Sequence, residues 1–158
     1  MTKPWPALLV CAAICVASGS LYAQGTSVFS DGILPTRSIW TGVYSSAQAA
    51  RGLAKFGQFE CGKCHRADLE GDPSEGVSPL KGDHFMVNWD TQSLADFARR
   101  LHTKPNDDIS DMDIVTATDL VAYILARNLV PPGDAELPPD RLVQAQIRWD
   151  QKKPDESR

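Results

Sequence analysis

Apolar positions recur at helical spacing in three stretches of this chain. From Ser45 or Ser46, either of which can cap a helix, Ala50, Leu53, Ala54 and Phe56 form a stripe running to about Glu60. Gly52 and Gly57 interrupt it, and a glycine inside a helix costs roughly 1 kcal/mol against alanine, so close packing by another helix is the expected compensation at Gly52. After Thr91, the residues Leu94, Phe97, Ala98 and Leu101 predict a short helix to about His102, with Pro105 at its end or in a turn beyond. The strongest pattern lies between 111 and 128, where Ile114, Ala117, Val121, Ile124 and Leu125 share one face and Leu120 and Tyr123 widen it. It stops at Leu129-Val130-Pro131-Pro132-Gly133, which cannot continue a helix. Together these elements predict an all-α domain over residues 45–130.

The remaining segments read differently. Residues 24–44 mix Gly, Ser, Pro and Thr with isolated apolar residues and predict an irregular arm on the domain surface. Residues 66–90 predict a loop, broken by Gly71, Pro73, Gly76, Pro79 and Gly82. Residues 131–158 form a C-terminal extension, with a thin-faced helix expected from 139 to about 152 and mobile residues at the end. Residues 1–23 have one basic residue, Lys3, an apolar run over 7–17 and small residues up to Ala23, the layout of a secretory signal cleaved near Ala23. The run is short for a membrane span, so no integral span is expected after cleavage; an uncleaved anchor is the alternative.

Charge narrows the partners. The chain has a formal charge of -4, and removing Lys3, the one charged residue of 1–23, leaves -5. An acidic balance argues against nucleic acid or an anionic membrane surface and favours docking onto a basic patch.

The chemistry concentrates in Cys61-Gly62-Lys63-Cys64-His65, the C-x-x-C-H signature of a c-type haem. Two thiols add across the haem vinyl groups and the adjacent imidazole takes the fifth position on iron, so one short segment supplies tether and axial ligand. A zinc site would need more thiolates or a second Cys/His pair, and the only other cysteines, Cys11 and Cys15, lie in the signal. A thioredoxin-like pair normally follows a strand, whereas a helix is predicted before Cys61. In an exported protein two remaining thiols would otherwise close on each other, and thioether bonding explains the absence of a further pair.

In this order the elements resemble a class I cytochrome c, and within it the single-haem domains found beside or fused to quinoprotein (PQQ-dependent) dehydrogenases. The resemblance is carried over about 38–137 by Ile39-Trp40-Thr41-Gly42-Val43-Tyr44-Ser45, Gln48-Ala49-Ala50-Arg51-Gly52, Asp68-Leu69-Glu70-Gly71, Pro79-Leu80-Lys81-Gly82, Phe85, Trp89, Leu94, Ala122-Tyr123-Ile124-Leu125 and Asn128. It implies a fold of helices wrapped around one covalent haem c, with the first and last helices crossing through Phe56 and Tyr123. It also implies that Pro79 turns its carbonyl to the outer nitrogen of His65 and that Trp89 donates its indole N–H to a haem propionate; an ordinary turn proline and a core tryptophan are the structural alternatives.

The chain departs from that family at the sixth ligand, where a T-M-P tripeptide becomes Thr103-Lys104-Pro105. Lys104 is the leading candidate, although its amine must lose a proton from an ordinary pKa of about 10.4. His102 comes second and is intrinsically the better ligand near neutrality. Met112 is expected in the core, and Met86 and His84 belong to the loop over the haem. A nitrogen ligand predicts a lower reduction potential than a His/Met pair. The functional expectation is a periplasmic electron carrier without catalytic residues, serving a redox protein such as a quinoprotein dehydrogenase or a terminal oxidase chain. A haem enzyme or sensor with an open or weakly held sixth position is the alternative.

Overall fold

Helix α1 (Ser46–Gln58) begins where Ser45, in extended conformation, accepts the backbone N–H of Gln48 on its side chain. The structure, a computed structural model, describes residues 37–103 and 112–153; the signal-like segment, the arm before 37, Lys104 and the last five residues lie outside them. Around α1 the described residues form a mostly helical domain: β1 (Arg37–Ser38), α2 (Gly62–His65), α3 (Asp83–Trp89), α4 (Leu94–His102), α5 (Ile114–Arg127), α6 (Arg141–Ala145) and β2 (Ile147–Arg148). Among them no helix is long and apolar enough to cross a membrane.

Helix α5 is the centre. Every residue from Thr116 to Leu125 is buried, so apolar and small polar side chains alike are covered, as expected of a helix with neighbours on all sides. Its most extensive partner is α1, and α4 packs beside it. Gly52 is the reason α1 can approach. A Cβ there would sit 2.0 Å from the Asp119 carbonyl oxygen and 2.7 Å from the Tyr123 Cβ, so the predicted close packing is present. Phe56 and Tyr123 meet across the same junction with ring centroids 5.4 Å apart.

The face that α1 buries is nevertheless not the one expected. Gln48, Gly52 and Phe56 point inward, whereas Leu53 is 54% exposed and Ala50 and Ala54 also face outward. A polar amide and a missing side chain conceal this face from an apolar count. Gln48 is buried because its amide is matched on both sides, Nε2 donating to the Leu137 carbonyl at 2.9 Å and Oε1 accepting from the Leu137 N–H at 2.8 Å.

Three further expectations are corrected. The segment expected to be loop throughout 66–90 contains α3, entered from Gly82 and burying Phe85 and Met86. The end of the arm is not a surface strand of chain: Ile39, Val43 and Tyr44 are core residues, and the Tyr44 hydroxyl donates to the Val130 carbonyl at 2.6 Å. The extension is integral to the domain and has only a five-residue helix, after which Ile147–Arg148 pairs in parallel with Arg37–Ser38. The pairing and the burial of Ile147 and Trp149 favour extended backbone over a continued helix. Residues 37–44 and 131–150 thus close one core with 45–130.

One ion-paired group ties these layers together. Arg51 on α1 donates Nε and Nη2 to the two carboxylate oxygens of Asp119 on α5 at 3.1 and 3.0 Å, and Nη1 and Nη2 to Glu136 in the extension at 2.7 and 2.8 Å. Hydrogen bonds from Arg51 hold the Glu136 carboxyl below its ordinary range, and Glu136 first and Asp119 second push the guanidinium pKa up.

Helix caps make the fold acid-sensitive. Asp96 completes a capping box with Ser93 on α4, and the Ser93 hydroxyl lowers its pKa below the ordinary 3.8. Asp113 caps α5, and the Thr116 N–H lowers its pKa in the same way. Both folded-state values lie below the unfolded ones. The unfolded chain therefore binds more protons across this window, and the caps' stabilisation is complete above about pH 4 and lost as pH falls through the folded-state values. Denaturant midpoints measured from pH 6 downward should decline through this range, and Asp113→Asn should flatten the decline; a pH-independent midpoint would contradict it.

Candidate haem site

The end of α1 is turned sharply to deliver the C-x-x-C-H segment. Glu60 takes a left-handed conformation with φ 53°, and the Cys61 N–H reaches back to the Phe56 carbonyl at 3.1 Å. Cys61 then begins the single turn of α2, closed by the His65 N–H on the Cys61 carbonyl at 2.9 Å. Cys61, Cys64 and His65 consequently lie on one helical turn, with Cys61 half-buried against the core and Cys64 exposed. Neither cysteine is in a disulfide. Arg66, with φ 59° and ψ 163°, redirects the chain away immediately after His65.

His65 is held from the opposite side of the loop. Its Nδ1 lies 3.0 Å from the carbonyl oxygen of Ser78. A carbonyl can only accept, so Nδ1 carries the proton and Nε2 of the neutral ring keeps its lone pair. The expected carbonyl was that of Pro79, and the structure corrects this by one residue. The Leu80 N–H donates to the Leu69 carbonyl at 2.9 Å, and in that planar trans peptide the Pro79 carbonyl points the opposite way. Pro79 acts on the residue before it, biasing Ser78 to extended backbone.

The loop presenting Ser78 is fixed at several points. Gly71 admits the returning strand, since a Cβ there would lie 2.5 Å from the Val77 carbonyl oxygen. Asp72 accepts from Ser74 and Arg66, and Ser74 first and Arg66 second lower its pKa. Asn128, at the end of α5, donates to the Leu80 and Ile124 carbonyls and accepts the Gly82 N–H, tying loop to helix at 2.8–3.0 Å.

The other expected site residues are separated by their surroundings. Trp89 is half-buried at the end of α3, with its ring 4.6 Å from Phe97 and 6.3 Å from Trp149. These contacts make Trp89 part of the aromatic packing around Phe97. Trp149 was assigned only to a thin helix face, yet it is fully buried against Phe85 and Phe97, and its indole N–H has no hydrogen-bond partner among the described residues. Met86 and Met112 are both core residues, as expected for Met112. His102, the last residue of α4, is exposed, and its Nδ1 lies 2.6 Å from the Met112 carbonyl oxygen. Lys104 lies outside the described residues.

Among the described residues no group of three or more His, Cys, Asp or Glu could hold a metal ion on protein ligands alone. The donor set instead fits a group that brings its own equatorial ligands: two thiols for covalent attachment and one imidazole whose ring is aligned through its second nitrogen. A separate groove of about 460 Å³, lined by Tyr44, Ser46, Ala49, Leu129 and Val130, contains none of these residues. No protein-family model matches the chain, and no curated protein or solved structure matches it either.

Proposed function

We propose that the protein is an exported, single-haem c-type cytochrome that carries electrons. The observation that carries this reading is the pinned imidazole: His65 donates Nδ1–H to a backbone carbonyl, on the same turn as two cysteines at the spacing of a haem tether. Cys61 and Cys64 would each add sulfur to one vinyl carbon and hydrogen to the other, a step with no net oxidation. His65 Nε2 would bind the iron, and the Ser78 carbonyl would fix the ring's rotation and raise its donor strength. When bound, the haem supplies an iron that alternates between ferric and ferrous states.

The fold supports the same reading through its element order: a first helix leading into C-x-x-C-H, a loop returning to the histidine, two middle helices and then the long helix α5 packed against the first. Half-buried Phe59, Leu80, Trp89 and Leu101 around the core offer apolar surface that a porphyrin would cover. An electron carrier requires no proton transfer from side chains. A quinoprotein dehydrogenase or a terminal oxidase chain is the proposed partner, approached through complementary charge on this acidic chain.

Expression with a c-type maturation apparatus should yield a red protein whose mass exceeds the polypeptide by one haem. The Cys61→Ala, Cys64→Ala double variant should lose that mass entirely. Reversible reduction and reoxidation without turnover of peroxide would support the carrier over a haem enzyme. A colourless product of unmodified mass would refute the proposal.

A further inference from the structure

The carbonyl that faces His65 belongs to a peptide that cannot fasten itself through its nitrogen. Ser78 supplies the oxygen, 3.0 Å from Nδ1, but the nitrogen of that peptide is Pro79 and carries no hydrogen. Its orientation is therefore inherited from the peptides on either side. Before it, Val77 exchanges both backbone bonds with Asp72, at 2.8 and 2.9 Å. After it, the proline ring fixes φ near about −65°, and the Leu80 N–H is held by the Leu69 carbonyl at 2.9 Å. The next two peptides are both held by one side chain. Asn128 Nδ2 donates to the Leu80 carbonyl at 3.0 Å, and its Oδ1 accepts the Gly82 N–H at 3.0 Å. The same Nδ2 donates to the Ile124 carbonyl at 2.8 Å, in the last turn of α5.

Closing the helix does not call for this amide. Asn128 is the C-cap of α5, and its backbone N–H already reaches the Ile124 and Leu125 carbonyls. The side chain serves the loop, matching its nitrogen and its oxygen to backbone groups 48 and 46 residues away. Lys81, between the two held peptides, pairs with Glu70 at 2.9 Å and so closes the loop on itself, leaving Asn128 to join it to a helix. That helix is also the one against which α1 packs, and the end of α1 carries Cys61 and His65 through the bond of the Cys61 N–H to the Phe56 carbonyl. The imidazole and the carbonyl facing it are thus both referred to α5, one through α1 and the other through Asn128. Resting on the haem reading above, we infer that Asn128 is a positioning residue for the axial histidine. By fixing the Leu80–Gly82 turn to α5 it sets the strength of the bond from His65 to Ser78 and, through it, the electron donation of the ring to iron. A carbonyl drawing on Nδ1–H makes the ring more electron-rich and favours ferric iron, so a slackened bond raises the reduction potential.

The test uses the haem-loaded full chain and reads its reduction potential beside its denaturant midpoint. Asn128→Ala should raise the potential above that of the wild type. Asn128→Leu keeps the volume without either bond and adds no charge; it should raise the potential in the same direction, and it serves where alanine prevents folding. Tyr44→Phe is the control. It removes the bond of the Tyr44 hydroxyl to the Val130 carbonyl at 2.6 Å, two residues beyond Asn128, and should lower the midpoint while leaving the potential in place. Unchanged potentials in both Asn128 variants would make Asn128 a structural fastener only and overturn the inference, as would a Tyr44→Phe shift equal to theirs. If no preparation carries haem mass, the haem reading fails by itself, and the positioning role is then read in the same haem-free chain from the ring nitrogen-15 shifts of His65. There the wild type should hold the Nδ1–H tautomer in roughly fivefold excess, about what one ordinary hydrogen bond supports, and Asn128→Ala should lose most of that excess. Mixed tautomers in the wild type, or an unchanged ratio in the variant, would overturn the role of Asn128 on that ground alone.

Discussion

Gly52→Ala should destabilise the protein by about 3 kcal/mol or more, although alanine is the better helix former by roughly 1 kcal/mol. The added methyl would sit 2.0 Å from the Asp119 carbonyl oxygen and 2.7 Å from that residue's carbonyl carbon, both backbone atoms of the central helix. Neither can rotate away, so α1 must move as a body. That movement would also disturb the Arg51 bonds to Asp119 and the contact of Phe56 with Tyr123. Gly57→Ala supplies the control in the same helix. Nothing lies within 4 Å of a Cβ at that position, so this variant should be neutral or more stable by up to about 1 kcal/mol. Denaturant titration of the two variants should give midpoint shifts of opposite sign, and equal shifts would remove Gly52 from the role assigned to it.

The second large effect is expected at Trp149, whose truncation to alanine should cost about 3–5 kcal/mol. The side chain is completely buried, with its ring 5.2 Å from Phe97 and 5.5 Å from Phe85. Its backbone fastens the extension to the turn before α4, donating to the Gln92 carbonyl at 2.7 Å and accepting the Thr91 N–H at 2.8 Å. Trp149→Phe should recover most of the loss, because the indole N–H has no hydrogen-bond partner among the described residues and an aromatic ring preserves the edge-to-face contacts. Chemical unfolding of Trp149→Ala and Trp149→Phe should therefore differ by more than half of the alanine cost. A Phe variant as unstable as the Ala variant would mean that the nitrogen matters more than the ring.

The site was legible to different depths. Cys61, Cys64 and His65 are contiguous, so a linear motif carries them, and the structure adds the turn that gathers them. The carbonyl facing His65 was displaced by one residue, because which peptide turns inward depends on the Leu69–Leu80 pairing and not on the order of residues. The contact of His102 with the Met112 carbonyl could not be read at all. It depends on a carbonyl ten residues away, brought near by α4 packing on α5.

The amino-acid order by itself determined α4 and α5, because periodic apolar side chains act within a few residues. It also determined the spacing of the two thiols and the imidazole. Tertiary structure decided which face of α1 is buried, since Gln48 is satisfied by Leu137 and Gly52 is fitted to Asp119, neither of them a local partner. It likewise decided that the ends of the described chain belong to the core, where Arg37–Ser38 pairs with Ile147–Arg148 across more than a hundred residues. Local propensity can select a helix, but burial and hydrogen-bond satisfaction are settled only when distant segments meet.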